Sequence, residues 1–158
     1  MLQTGDEAID FTKPSTSGTF TLSERVKDGP VLIYFYVVNF GMTCTEYMEK
    51  MNERLDDFKG RGVTLCHLNP DSVENHLDWI RHTDCRYEII SDIDQEVSRA
   101  YDCIVTKARN DKLIGKTNRA FILIDRDMKI RYCWRADMPT DTVPMDELFA
   151  SIDAALSD

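Results

Sequence analysis

Apolar residues recur along this chain at two different spacings, and the way the spacings alternate predicts its elements. Residues 31–38, Val-Leu-Ile-Tyr-Phe-Tyr-Val-Val, form an unbroken β-branched and aromatic run between Asp28-Gly29-Pro30 and Asn39. Such a run predicts a strand covered on both faces, as in a parallel sheet. Met48, Met51, Leu55 and Phe58 follow at helical spacing, with Glu and Lys filling the other face, and Gly60 and Gly62 mark the end. One continuous helix is expected there.

The same step repeats. A strand is predicted at Val63 to Leu68, then a helix from about Ser72 to His82 opened by Asp71 with Glu74 three residues on, then a short strand at Tyr87 to Ile90. A helix over Asp94 to Tyr101 leads into a polar, Lys-rich loop from Lys107 to Asn118. Two β-rich runs, Ala120 to Asp125 and Lys129 to Trp134, are joined by Arg126-Asp-Met and read as a hairpin. Leu148, Phe149, Ile152 and Leu156 predict a final amphipathic helix, and Lys13 to Gly18 reads as a loop before a short Thr-rich strand. The order predicts an α/β protein with a mixed sheet, parallel in part. Neither repeats nor a Pro/Gly/Ser linker divide it, so residues 1–158 read as a single domain.

Composition narrows the function. No apolar run approaches the roughly 18 residues of a membrane helix, and the first residues lack the basic start and apolar stretch of a signal peptide. A cytosolic protein is expected. With 19 Lys and Arg against 28 Asp and Glu, the net charge of −9 repels phosphate backbones and anionic lipids, and the scattered cations form no patch. Nucleic acid and membrane are therefore not expected partners. Five cysteines, Cys44, Cys66, Cys85, Cys103 and Cys133, are too widely spaced for a C-x-x-C pair. Their odd number excludes an even disulfide framework, and the spacing argues against dithiol exchange and zinc fingers. His76 and His82 are six apart, off the i, i+4 spacing of a helical metal pair; no metal or other cofactor is expected.

Cys44 stands apart, between the first central strand and the first long helix, at the sheet edge where α/β proteins tend to bind ligands. Thr43 with Glu46 three residues on fits a capping box, which would make Cys44 the first helical residue. The free N–H groups and positive end of a helix favour a thiolate there. Glu46 and Glu49 oppose it, so a cation from elsewhere in the fold is required. Cys66 and Cys133 fall within predicted strands and read as sheet or core residues, whereas Cys85 and Cys103 flank turns.

The segment Phe35-Tyr-Val-Val-Asn-Phe-Gly-Met-Thr-Cys44-Thr resembles the peroxiredoxin (AhpC/TSA) active-site motif F-Y-P-x-x-F-T-x-x-C-T. Gly5-Asp-Glu-Ala-Ile-Asp-Phe11 is similar to the family's G-x-x-A-P-D-F, and Ile90-Ser-Asp92 with Ala100-Tyr101 to its L-L-S-D…A-Y-G. Asn118-Arg-Ala-Phe-Ile-Leu-Ile-Asp125 is similar to R-x-x-F-I-I-D. The resemblance implies a thioredoxin-like fold with a peroxiredoxin-type N-terminal extension. It also implies a thiol-dependent peroxidase acting on hydrogen peroxide or an alkyl hydroperoxide through a sulfenic acid on Cys44. Arg119, alone a surface arginine before a strand, becomes by resemblance the missing cation.

Two departures bear on rate. Val37 stands where the family has proline, and Gly41 where it has the threonine that hydrogen-bonds the peroxide. Thr43 or Thr45 would have to supply a substitute hydroxyl, and losing one such aligned group costs about 2.7 to 4 kcal/mol of transition-state stabilisation. The family's resolving cysteine five residues after the first is Glu49 here, leaving Cys85 and Cys103 as candidates. A one-cysteine route with an external reductant, a thioredoxin-like protein or a low-molecular-weight thiol, is the first expectation, in a homodimer. The competing reading is a peroxiredoxin-fold redox sensor or binding protein with little peroxidase activity. A thiol–disulfide reductase is disfavoured by the missing C-x-x-C.

Overall fold

The structure is a computed structural model that describes residues 1–39 and 41–157, with the side chains of Met42 and Thr43 also outside the described part. Its elements are, in chain order, β1 (Thr12–Ser15), β2 (Gly18–Thr21), α1 (Leu22–Arg25), β3 (Val31–Phe35), α2 (Met42–Glu53) and α3 (Leu55–Gly60). There follow β4 (Thr64–Asn69), α4 (Val73–Thr83), β5 (Glu88–Ser91), α5 (Glu96–Ala100), β6 (Ala120–Ile124), β7 (Ile130–Arg135) and α6 (Met145–Leu156). The strands make one mixed sheet in the order β2-β1-β5-β4-β3-β6-β7. β3 runs parallel to β4 and β4 to β5, whereas β6 is antiparallel to β3 and to β7. The predicted mixed sheet and its hairpin are both present.

Alternation along the strands sorts the core into two sides. Leu32, Tyr34, Leu65, Ile89, Phe121 and Leu123 face a cluster built with α2, α3, α4 and α6. Val31, Ile33, Phe35, Cys66, Ile122 and Ile124 face another, closed by α1, α5 and the N-terminal Phe11. Every residue of β3 and β6 is buried, which is why both read as continuous apolar runs.

Four local expectations are corrected. Lys13 to Ser15, read as loop, is most of β1 and pairs with Phe20, Thr19 and Gly18 of β2. The first long helix is two helices, broken at Arg54 (φ −107°, ψ 17°), although Met48, Met51, Leu55 and Phe58 still share one core cluster. Ser72, not Asp71, caps α4: its side chain accepts from Asn75 N at 3.1 Å. The strand predicted over 31–38 ends at Phe35 as β3, and Tyr36 and Val37 stay buried beyond it.

Two histidines are buried in the α4 side of the core. His67 on β4 stacks on Tyr87 with ring centroids 3.7 Å apart. His76 on α4 presents Nδ1 to Asn39 Nδ2 at 2.9 Å, so that nitrogen accepts. Burial, opposed in part by the charge of Asp71, lowers the His76 pKa from 6.5 to about 4. The unfolded chain therefore takes up this proton at higher pH than the folded one. Stability is full above pH 6.5 and is lost as pH falls towards 4, by about 2 kcal/mol at this site between pH 7 and pH 5. His76→Gln, which retains an amide acceptor, is expected to flatten the fall in the urea midpoint over that range. An identical pH dependence in parent and variant would place the acid sensitivity elsewhere.

Candidate active site

The antiparallel pairing of β6 with β3 puts the start of one strand beside the end of the other, with Phe35 opposite Ala120. The chain leaving β3 leads to α2, and Arg119 immediately precedes β6, so Cys44 and Arg119 meet at one sheet edge although 75 residues separate them. Arg119 Nη2 lies 3.5 Å from Cys44 Sγ. Cys44 is 5% exposed and Arg119 only 1%.

The guanidinium has no carboxylate partner among the described residues. Nη1 donates to the Tyr34 hydroxyl, and Nε donates to the Pro139 carbonyl at 3.2 Å. The rings of Tyr34 and Tyr47 lie with their centroids 5.9 and 5.6 Å from the guanidinium carbon. Burial works against its charge, but Tyr34 and Cys44 outweigh this and the net shift of its pKa is upward. Burial likewise raises the Tyr34 pKa well above the ordinary value, so the phenol is a neutral partner. A buried cation is expensive unless paired. With Tyr34 neutral, the guanidinium's positive charge falls on the Cys44 sulfur.

Helix geometry contributes in the same sense. The N-cap of α2 is Gly41, not Thr43, which makes Cys44 the third helical residue and keeps it within the first turn. Thr45 accounts for the earlier start: its backbone N and its Oγ1 both donate to the Gly41 carbonyl, at 2.8 and 2.6 Å. Glu46 therefore sits too deep in the helix for a capping box, and Glu46 and Glu49 are both exposed.

The loop from β3 to α2 is held by a buried polar clasp. Asn39 accepts from the Tyr36 hydroxyl and donates through Nδ2 to Asn75 Oδ1 at 2.6 Å and to His76. Its backbone N donates to Asp71 at 3.0 Å. Tied to α4 this way, the loop forms one wall of a cleft of about 160 Å³ that reaches Cys44 and Arg119. Val37, Val38 and Gly41 line the cleft from this loop, and Leu113, Pro139 and Thr140 from later connections. A Cβ at Gly41 would come within 3.2 Å of Val38 Cγ1 and 3.9 Å of Cys44 Cβ. The space a side chain would take here is therefore partly occupied by valine.

Of the residues expected at the site, Cys44, Arg119, Val37 and Gly41 converge. Thr45 does not line the cleft, because its hydroxyl is spent on its own helix. The Thr43 side chain lies outside the described residues. Cys103 belongs to the core cluster on the far side of the sheet, where burial pushes its pKa up to about 12. Cys85 shares the Cys44 side of the sheet and is buried between the Thr83 hydroxyl at 3.0 Å and the Tyr87 hydroxyl at 3.1 Å. Cys66 is fully buried in β4, with its pKa raised by burial, and Cys133 is half-buried in β7. Tyr34, Leu113, Pro139 and Thr140 were not anticipated; the tyrosine lay hidden in an apolar run, and loop residues carry no periodic signal. Among the described residues no three His, Cys, Asp or Glu gather as a metal site, and no helix is long and apolar enough to cross a membrane.

The chain is similar to known proteins. The AhpC/TSA family model matches residues 4–133. The chain is 30% identical over 157 residues to peroxiredoxin 2 of Picrophilus torridus, covering 95% of this chain and 74% of that protein. A cysteine-to-serine mutant of peroxiredoxin 6 of Arenicola marina superposes with a TM-score of 0.89 at 20% identity, over 99% of this chain and 75% of that one. The yeast mitochondrial 1-Cys peroxiredoxin, studied for thiol resolution through glutathione and thioredoxin systems, gives 0.85 at 24% identity, over 98% and 76%.

If the guanidinium is what activates the thiol, Arg119→Met should slow alkylation of Cys44 by iodoacetamide at neutral pH by about tenfold or more, read by peptide mass mapping. An unchanged rate in a folded variant would remove Arg119 from that role.

Proposed function

The chain belongs to the AhpC/TSA family, the peroxiredoxins, and is a thiol-dependent peroxidase; from this premise we propose that Cys44 is its peroxidatic cysteine and Arg119 the group that activates it. The observation carrying the assignment is the 3.5 Å contact of a buried guanidinium lacking a carboxylate partner with a sulfur in the first turn of a helix. The Cys44 thiolate attacks one oxygen of the hydroperoxide along the O–O axis. The O–O bond breaks, its electron pair leaves on the other oxygen, and that oxygen takes up a proton to become water or an alcohol. Sulfur gains the attacked oxygen and becomes a sulfenic acid. Arg119 meets the charge as it moves from sulfur to the departing oxygen.

The hydroxyl missing at Gly41 is replaced in this reading by Thr140, which lines the same cleft. The sulfenic acid is cleared by an external thiol, which displaces the oxygen as water and leaves a mixed disulfide that a second thiol reduces. This route is supported by Cys103 lying across the sheet from Cys44 and by Cys85 being engaged with two hydroxyls. Five cysteines without a disulfide suit the reducing cytosol. The reading includes a homodimer of a single-domain chain.

Reduced protein mixed with one equivalent of hydrogen peroxide should lose one thiol and gain one oxygen on Cys44 alone, by intact mass and peptide mapping. Cys44→Ser should abolish peroxide consumption. A first-turnover rate no faster than that of free cysteine would defeat the assignment and favour the sensor reading, and an internal disulfide would name a resolving residue.

A further inference from the structure

The cleft at Cys44 continues past its outer wall. A second recess of about 110 Å³ shares Leu113, Pro139 and Thr140 with it and extends to Met138 and Arg109. Leu113 closes the turn Asp111–Leu113, which Asn110 fixes by accepting from Lys112 N at 3.1 Å. The path from Cys44 outward is thus bounded by Val37, Val38, Leu113 and Pro139, and ends at an arginine.

Two features of this path point to its ligand. First, its walls are apolar over a volume close to the roughly 150 Å³ that accommodates a benzene ring. Beyond Arg119 and Thr140 such walls offer no polar side chain to hydrogen peroxide, and they suit a carbon chain. Second, no carboxylate lines either recess, although the chain carries net charge −9. Lys107, two residues away, is paired with Asp137 at 2.9 Å, whereas Arg109 is exposed and makes no ion pair among the described residues.

We propose that the Arg109 recess is a second subsite, which holds the anionic end of an organic hydroperoxide whose apolar body lies along Leu113 and Pro139 while its peroxide end meets Cys44. The inference rests on the Cys44–Arg119 assignment and adds to it a preferred substrate: a free hydroperoxide ending in a carboxylate. An arginine answers that group with paired N–H donors. A small acidic thiol would feel the same charge, but its polar body would leave the apolar wall unused.

The test isolates the oxidative half-reaction. Reduced protein, without added thiol, is mixed in a stopped-flow instrument with alkyl hydroperoxides of increasing chain length ending in a carboxylate, with their methyl esters, and with hydrogen peroxide. At the favoured length the acid is expected to oxidise Cys44 up to about fivefold faster than its ester, the span of an exposed ion pair. That ratio should shrink between about 0.01 M and about 1 M salt. Arg109→Gln should bring the acid-to-ester ratio to one. Equal rates for acid and ester in the parent, or an acid preference that survives Arg109→Gln, would overturn the subsite. If Arg109→Gln leaves the ratio intact and slows only re-reduction by an acidic thiol, the recess belongs to the reductant and the proposal fails. Failure of the underlying assignment looks different: no peroxide would oxidise Cys44 faster than free cysteine.

Discussion

Arg119 is buried to 1% exposure and faces two phenol rings, a carbonyl oxygen and a sulfur, with no carboxylate among them. A carboxylate would satisfy the guanidinium permanently and leave the sulfur free to remain a neutral thiol. Neutral partners hold the arginine in place without discharging it, so its field stays available to the sulfur. Tyr34 does this from the middle of β3, where burial keeps its proton on. The sheet order follows from the same need. Only with β6 antiparallel beside β3 does a residue just before one strand arrive where the chain leaves the other.

The rest of the site manages what that charge cannot do alone. A cation stabilises the thiolate and the departing oxygen, but it does not aim the peroxide. Orientation falls to the loop between β3 and α2, and this loop is short of polar side chains, with valines at 37 and 38 and glycine at 41. At Asn39 it is nonetheless tied to Asp71, Asn75 and His76 on the neighbouring β4–α4 segment. Val38 Cγ1 stands 3.2 Å from where a Gly41 Cβ would be, so restoring a side chain at 41 alone would press on valine before it reached substrate. Val38 and any side chain at 41 therefore compete for the same space.

How much of this was legible depends on whether a residue announces itself by pattern or by placement. The strands at 31 and 120 were readable because two-sided burial writes an apolar run, and Arg119 was readable only through the family's fixed distance to Asp125. The start of α2 was misplaced. Thr43 and Glu46 satisfy the usual capping signature, but Thr45 bonds back to the Gly41 carbonyl and starts the helix two residues earlier. Nothing local distinguishes these outcomes, since glycine and threonine are comparable caps. Cys103 illustrates the other limit: a cysteine beside a turn can face either side of a sheet, and only the pairing of the strands puts it opposite Cys44. Leu113, Pro139 and Thr140 sit in connections, where no periodicity applies.

Selectivity among the five thiols then follows from one charge and the burial around it. Cys66 and Cys103 are as enclosed as Cys44 or more so, yet for them enclosure acts as desolvation and pushes each thiol up. Arg25 opposes this at Cys66 through its charge, and Arg135 at Cys103 through its charge and a hydrogen bond, and neither reverses it. At Cys44 the enclosing surface itself contains the cation, so excluding water strengthens the attraction instead of only penalising the charge. A nearby cation alone does not offset burial; what sets Cys44 apart is that its guanidinium neighbour has no carboxylate partner among the described residues, whereas Arg25 beside Cys66 is paired with Glu88. The same dryness makes the apolar walls useful, since a substrate that fills them expels the water that would screen Arg119 from the oxygen it must stabilise.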